Sequence, residues 1–230
     1  MRSVVPSLGR LTIACLFAVT GGYMDAYSYL AHGHVFANAQ TGNFVLFSVD
    51  ASQGHWSQAI RHLPPILAFS LGVAVVSWLN VHAETKIWRA LLLCQAFELA
   101  ILAALAAVGA RLPDASVVPL ISFVAALLNT SFNRVGAWSF NTAMTTGNLR
   151  DATSGWVLWS AGHETTANRR KAIILSLICF SFALGALCGG SYTRRNLAHA
   201  LLPCVAVVAA GFLLTCWEGR RGARESTGAG

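Results

Sequence analysis

Six long apolar stretches constrain the fold of this chain more than any other feature. Each is close to the roughly 20 residues that an α-helix needs to cross the hydrocarbon core of a bilayer. Apolar residues make up 55% of the chain and charged residues 11%, and the mean hydropathy is +0.57, far from soluble averages. The sequence therefore predicts one all-α membrane domain over residues 1–230, a polytopic helix bundle with these six spans: Leu11–Leu30, Leu63–Asn80, Trp88–Gly109, Val117–Arg134, Ala172–Gly190 and His199–Trp217.

The distribution of basic residues predicts the orientation of the bundle. Leu11–Leu30 is long enough for a retained span rather than a signal peptide. With six spans and a cytoplasmic N-terminus, twelve basic residues fall on the inner side and four on the outer side. This follows the positive-inside rule and predicts that both termini are cytoplasmic. The four outer residues are Arg61, Arg111, Arg194 and Arg195.

A Thr-Gly-Asn tripeptide occurs twice, at Thr41-Gly42-Asn43 and at Thr146-Gly147-Asn148. Each copy follows an apolar segment that carries a polar residue, Asp25 in the first case and Asn129 in the second. The sequence therefore predicts two internal repeats, at about 11–109 and 117–217. Three spans in each half place the second repeat in the membrane in the opposite sense, which makes the repeats inverted.

The segments around the tripeptides are too short and too polar to be ordinary spans. Val35–Asp50 has 16 residues, about 24 Å as a helix, against a hydrocarbon core of about 30 Å. Non-helical backbone at membrane depth survives only where protein or a water-filled cavity surrounds it. We expect two short broken or re-entrant helices, Phe44–Ser52 and Leu149–Ser160, each beginning at a tripeptide. If both segments spanned the membrane, the protein would have eight helices and parallel halves, with eleven basic residues inside and five outside.

A packing role competes with a functional role for the tripeptides. Small residues let helix backbones approach closely, and Asn bonds across helix interfaces. Alternatively, the exposed amides at the two helix N-termini would line a pathway and favour an anionic or polar solute. The sequence leaves both interpretations open.

The combination of motifs resembles the YoaK-like family of small bacterial membrane proteins, described as a domain of unknown function. The residues that carry the resemblance cover nearly the whole chain. They are Gly22-Tyr23-Met24-Asp25-Ala26-Tyr27-Ser28-Tyr29-Leu30, Phe36, Asn38, Thr41-Gly42-Asn43, Asn129, Arg134 and Thr145-Thr146-Gly147-Asn148-Leu149. The family often has Gly-x-Gln-Asn where this chain has Ala126-Leu127-Leu128-Asn129. The resemblance implies a multi-pass protein of the bacterial inner membrane and implies no substrate or activity.

Two acids inside apolar spans are the leading candidates for function. Intramembrane ionisable residues are costly and commonly mark ion or solute pathways. Asp25 lies deep in the first span, and Arg134 is its candidate structural ion-pair partner. Glu98 lies in an otherwise apolar span, with Gln95 on the same helical face. The predicted pathway residues are Asp25, Thr41, Gly42, Asn43, Glu98, Asn129, Thr146, Gly147 and Asn148.

The sequence contains none of the common enzyme, phosphate-binding or dinucleotide-binding motifs. His32-Gly33-His34 provides no third metal ligand at a characteristic spacing. We therefore expect no catalytic residues, metal or cofactor, and no nucleic-acid partner. We expect a small transporter or channel for a polar or anionic solute, coupled to protons. A non-transporting scaffold or regulatory protein is the alternative, an intramembrane enzyme the third. Gly185-x-x-x-Gly189 suits helix packing within the bundle, and homo-oligomerisation stays open.

Overall fold

The computed structural model describes residues 8–82, 87–108, 112–132, 134–135, 138–139, 145–162 and 166–227. Within these ranges the chain is an all-α bundle with one short antiparallel strand pair, β1 (Arg134–Val135) and β2 (Trp138–Ser139). Two 3-10 turns cover Ile60–His62 and Leu197–His199. The helices are α1 (Leu8–Ala31), α2 (Gln40–Ser52), α3 (Trp56–Ala59), α4 (Leu63–His82), α5 (Ile87–Val108), α6 (Asp114–Ser131), α7 (Thr145–Ser160), α8 (Thr166–Arg195) and α9 (Leu202–Thr227).

Five helical segments in the described part of the chain are long and apolar enough to cross a membrane, which makes this a multi-pass membrane protein. They are Trp56–Val81, Leu91–Val108, Asp114–Ser131, Thr166–Arg195 and Leu197–Arg220. These segments overlap five of the six predicted spans. The sixth, α1, has 24 residues but is not apolar enough to be among them, because it carries polar residues such as Thr20, Tyr23 and Asp25.

The polar residues of α1 are tolerated because this helix is surrounded by protein. Half of its 24 residues are buried, including Thr20, Asp25 and Ser28. A helix that faces other helices rather than lipid does not need a uniformly apolar surface. Polar side chains can then be satisfied inside the bundle. Helix α1 is thus an interior helix of full span length.

Glycines hold α1 tightly against α8. A Cβ on Gly22 would lie 2.0 Å from the Phe182 carbonyl oxygen, and one on Gly185 would lie 2.0 Å from that of Val19. A Cβ on Gly189 would lie 2.7 Å from the Tyr23 carbonyl oxygen. The two helices run parallel, since residue numbers rise together along the seam. The predicted packing role of Gly185-x-x-x-Gly189 within the bundle is confirmed.

Helices α4 and α6 form a second parallel pair, in which Gly72 of α4 likewise permits a close approach. A Cβ there would lie 2.7 Å from the Phe123 carbonyl oxygen. Helix α5 packs antiparallel to α6 and to α9, and α9 also packs along α1. Side chains from α1, α5, α6 and α9 meet in the apolar core, which includes Tyr23, Leu102, Ile121 and Cys204.

The chain re-enters the bundle between α1 and α2. Helix α1 ends at Ala31, yet Asn38 bonds Asp25 and Gly21, about 9–15 Å back along α1. Helix α2 then runs back to the end of the bundle at which α1 ends. There the Asp50 carboxylate contacts His62, the residue before α4, at 3.4 Å (Nε2 to Oδ2). The first short segment is therefore re-entrant rather than a span.

Helix α7 makes the corresponding excursion from the opposite end of the bundle. The Thr145 carbonyl lies 3.8 Å from the Cys179 sulfur, about 20 Å along α8 from its start at Thr166. Further along α7, Asp151 accepts a 2.9 Å hydrogen bond from Lys171. Helix α7 thus begins at mid-depth and descends to the end where α8 begins. Both short helices start four residues earlier than expected, at Gln40 and Thr145, so each tripeptide lies in a first helical turn.

The charges beside the second tripeptide form the expected surface ion pair. Arg150 contacts Asp151 at 3.1 Å, and Lys171 joins from α8. The hydrogen bonds from Lys171 and Arg150 hold the pKa of Asp151 below its ordinary value. This cluster fixes α7 to α8 in a wet region, where ion pairs contribute little to stability.

Replacing Gly185 with Ala will destabilise the bundle. The added methyl group meets backbone of α1 at 2.0 Å, and overpacking of this kind costs about 1–3 kcal/mol. Gly190→Ala is the matched control on the same helix, because its nearest atom is at an ordinary 3.6 Å. Thermal unfolding in detergent should show a lower Tm for Gly185→Ala alone. Equal Tm values would contradict the close α1–α8 approach.

Cysteine labelling will place the loops after α2 and α7 on opposite sides of the membrane. His55→Cys and Ala161→Cys introduce thiols at exposed loop positions in a background lacking the six native cysteines. Impermeant maleimide applied to sealed vesicles should label only one of the two, because the two re-entrant segments enter from opposite ends. Labelling of both from one side would support eight spans.

Candidate functional site

The carboxylate of Asp25 holds the re-entrant turn in place. One of its oxygens accepts a 2.7 Å hydrogen bond from the Asn38 amide, and the side-chain amide of Asn38 donates to the Gly21 carbonyl at 3.3 Å. The Ala37 and Ala39 amides also lie close to the carboxylate. Asp25 is 5% exposed. Its carboxyl therefore lies at the N-terminal end of α2, where backbone amides and the helix dipole favour a negative charge.

Asn43 closes the same turn from the tripeptide side. Its side-chain oxygen accepts from the Phe36 amide at 2.9 Å, and its nitrogen donates to the Phe36 carbonyl at 2.8 Å and to the Gln40 side chain at 2.9 Å. Ser28 completes the network by accepting from the Ala37 amide. The buried backbone of the turn is thereby satisfied, as a segment at membrane depth requires.

The two tripeptides share one pattern of burial. Asn43 and Asn148 are buried, whereas Thr41 and Thr146 are exposed. Gly42 meets the ring of Phe36, to which an added Cβ would come within 2.9 Å. In both copies the asparagine is the member that points into the protein.

Glu98 and Gln95 lie fully buried on one face of α5. The Gln95 side chain donates to the Thr215 hydroxyl of α9 at 3.1 Å, and that hydroxyl donates to the Gly211 carbonyl. Among the described residues, neither carboxylate oxygen of Glu98 nor the amide oxygen of Gln95 has a hydrogen-bond partner. Three buried acceptors thus lie without a donor in the interior of the bundle.

Two buried thiols lie near Glu98, Cys94 on its own helix and Cys204 on α9. No ion pair of Glu98 is present in the described part of the chain. An unpaired charge in an apolar interior is strongly unfavourable, so this carboxyl is suited to holding a cation or a proton that can leave.

A third polar group lies near the ends of α1, α5 and α6. The His32 ring contacts the Asp114 carboxylate through Nδ1 at 2.7 Å and the Tyr27 hydroxyl through Nε2 at 2.9 Å. An ionised Asp114 requires the proton on Nδ1, which leaves Nε2 to accept from Tyr27. His32 is buried, whereas the Asp114 side chain is 63% exposed. The three groups form a hydrogen-bonded chain from the surface into the bundle.

The side chains of Tyr27, His32 and Asp114 form one wall of a cavity of about 180 Å³. The remaining walls come from Leu105 and Ala106 on α5 and from the residues before and at the start of α9, including Ala200 and Leu201. Neither tripeptide lines it. The cavity therefore brings together residues outside the predicted pathway set.

The structure brings Asp25 together with the first tripeptide but places Glu98 in a separate cluster between α5 and α9. Asn129 is half-buried in the last turn of α6, and Asn148 is buried in the first turn of α7. Arg134 lies in β1, which packs against α1, and its side chain is outside the described residues. The predicted pathway through both tripeptides stays a prediction.

Sequence reasoning missed the Tyr27, His32 and Asp114 group. His32 was weighed only as a metal ligand, and in the described residues no three metal-binding side chains cluster. The available signal was His32 directly after an apolar span and Asp114 directly before one. In a six-span topology the end of the first span and the start of the fourth lie at the same membrane surface, so pairing of His32 with Asp114 was accessible from topology.

Two comparisons with known proteins identify relatives of the chain. Residues 13–214 match the family model described as "Protein of unknown function (DUF1275)". The chain is 26% identical over 186 residues to the UPF0700 transmembrane protein YoaK of Bacillus subtilis (strain 168), covering 77% of this chain and 81% of that protein. No solved structure matches the chain. With nearly all of its membrane-spanning region matched, the chain belongs to the DUF1275 family of membrane proteins, as the resemblance to YoaK-like proteins predicted.

Proposed function

We propose that this protein is a secondary transporter of a small polar or anionic solute, coupled to protons carried by Glu98. The observation that carries the proposal is the fully buried Glu98 carboxylate beside the free amide oxygen of Gln95. A purely structural carboxyl would be expected to have donors, as Asp25 does. Unpartnered buried polar groups that persist despite their cost commonly serve function.

We propose that the two halves are inverted repeats, an arrangement typical of transporters. Helix α1 packs on α8 and α9, and α6 packs in the same way on α4 and α5. Helices α5 and α9 pack against each other, and the two re-entrant helices start at mid-depth from opposite ends. A pseudo-two-fold axis in the membrane plane would relate these contacts. In proteins built this way, one repeat rocks against the other around a midplane site, and we propose that Asp25, Asn129 and both tripeptides surround that site.

The same arrangement supports the predicted orientation. Arg61, near Gly33, and Arg194 and Arg195, at the end of α8, lie at the cavity end of the bundle. Arg169, Arg170 and Lys171 lie at the other end, at the start of α8. We propose that the cavity end faces outward and that both termini face the cytoplasm of a bacterial cell, with the protein in the inner membrane.

A non-transporting scaffold is the second candidate, and the saturated network around Asp25 favours it. Every described contact of Asp25 and Asn43 stabilises the turn before α2. An isolated structural role for the first tripeptide is consistent with these contacts. Glu98 distinguishes the two candidates, because a scaffold has no use for an acid without partners. Intramembrane catalysis has no comparable support, and we propose no enzymatic role.

Glu98→Gln will abolish coupled transport without loss of stability. Purified protein in liposomes is screened for uptake of organic acids, amino acids and inorganic anions, with and without a pH gradient. The variant should lose at least ten-fold of gradient-driven uptake, because Gln cannot exchange a proton. Its stability should be equal or higher by about 1–3 kcal/mol, since Gln supplies a donor to a site that has only acceptors.

Ser122→Ala is the matched control for Glu98→Gln. Its hydroxyl is also fully buried and without a partner among the described residues, but it carries no exchangeable charge. Uptake by this variant should equal that of the wild type. Transport is refuted if no solute moves, or if the Glu98→Gln variant responds to the pH gradient as the wild type does.

Asp25→Asn will lower stability by about 1.5–3 kcal/mol, the value of a buried hydrogen bond to a charged group. Asn presents a donor to the amides that Asp25 accepts from, so the turn before α2 should loosen. Thermal unfolding and maleimide labelling of a cysteine at Ala39 measure the two effects. Ser48→Ala, at an exposed site on α2, should change neither. A wild-type Tm for Asp25→Asn would contradict the structural role.

A further inference from the structure

One face of α5 leads from the cavity to Glu98. Gln95, Glu98, Leu102 and Leu105 repeat at the three- and four-residue spacing of a single helical face, and all four are buried. Leu105 lines the cavity, and Glu98 lies seven residues away, about 10 Å along the helix. Leu102, with no exposed surface, is the residue of this face between them.

The opposing helix follows the same order. Ala200 and Leu201 line the cavity, and Cys204, one turn further along α9, is close enough to Glu98 to be influenced by its charge. Leu102 and Cys204 belong to the same buried cluster as Tyr23 and Tyr27 of α1. Between the cavity floor and Glu98 there is thus one buried layer, largely apolar, in which the Tyr23 hydroxyl donates to the Ala200 carbonyl.

We propose that the cavity beside Tyr27, His32 and Asp114 is the entrance through which protons reach Glu98, with Leu102 as the closed apolar gate. This inference rests on the proposed function in assigning the purpose of the entrance. Asp114 is exposed and His32 is buried, so these hydrogen-bonded side chains connect the surface to the wall of the cavity. Movement of Leu102 then admits water, which completes the path.

The charged and titratable groups along this route are few in the described residues. At the entrance, Tyr27 of α1 and Asp114 of α6 flank His32, and the Arg61 guanidinium lies near Gly33 in the following turn. At the far end, Cys94 and Cys204 flank Glu98, and Tyr23 of α1, whose hydroxyl donates to the cavity-lining Ala200 carbonyl, lies near Cys204. The entrance thus carries a negative group, Asp114, and a positive group, Arg61. On the inner side of Leu102, Glu98 is the only acid among the residues in these contacts.

Cys204 is a native reporter of the route, because it is fully buried and lies between the cavity and Glu98. The five other cysteines are replaced, and the purified protein in detergent is exposed to silver ion, a small thiol-reactive cation. The protein is then unfolded and the remaining free Cys204 is counted with a fluorescent maleimide. In the parent protein the reaction should be slow.

Leu102→Ala should accelerate the reaction at least ten-fold by removing the gate. Leu91→Ala is the matched control, since Leu91 is equally buried on the same face of α5, seven residues beyond Glu98 on the other side. Ala106→Trp, at the cavity wall, should cancel the acceleration when combined with Leu102→Ala. Ala103→Trp, on the exposed face of α5, should leave it unchanged.

The proposal is overturned if Leu102→Ala is no faster than the parent protein, or if Leu91→Ala opens Cys204 equally. It is also overturned if Ala106→Trp does not slow the double variant, because silver would then arrive by another route. Melting curves identify variants that have unfolded, and Ala106→Trp tests the entrance without altering the buried layer. A protein that moves no solute but passes these tests retains the entrance and loses only the transport function.

Discussion

The hydrogen bonds between Asp25 and the turn before α2 are the interaction on which the architecture depends. A chain that re-enters a membrane must satisfy its backbone groups without water, and each unsatisfied group would cost several kcal/mol. Asp25 provides acceptors to the Asn38 amide and its neighbours, while Asn43 provides both a donor and an acceptor to Phe36. An acid buried in an apolar span is tolerated here because backbone amides at a helix N-terminus donate to it. The re-entrant helix and the acid therefore stabilise each other.

The contact of Asp25 with the turn before α2 restricts what the N-terminus of α2 can bind. A free N-terminus at mid-depth would attract an anionic solute, but that position at α2 already holds a carboxylate of the same chain. A solute could bind there only by displacing Asp25 or after Asp25 takes up a proton. In the proposed second repeat Asn129 takes the place of the acid, so that residue would supply no carboxylate to α7. The N-terminus of α7 is therefore a better candidate for anion binding than the N-terminus of α2.

The sequence predicted the fold well where the physics is local. Span length and apolarity located the helices, and Gly185-x-x-x-Gly189 indicated close packing within the bundle, which α8 makes with α1. The site was less predictable. Asp25 and Glu98 look alike in sequence, as single acids in apolar spans. Only their three-dimensional partners separate an acid with several donors from one with none. The pairing of His32 with Asp114 joins residues 82 positions apart and likewise depends on how helix ends meet.

The contrast between the two acids supports a division of labour. Asp25 accepts hydrogen bonds from the turn before α2, so a substitution of Asp25 is expected to disturb that turn directly. Glu98 makes no described hydrogen bond, because the Gln95 side chain donates to Thr215 and the Thr215 hydroxyl donates to the Gly211 carbonyl. Evolution readily replaces costly groups that contribute nothing, and function is the usual reason that such costs persist. A carboxyl that is free to exchange its proton must lack permanent donors, since strong partners would fix its charge. The absence of partners that makes Glu98 unfavourable for stability is therefore the property that suits it to carrying a proton through the bundle.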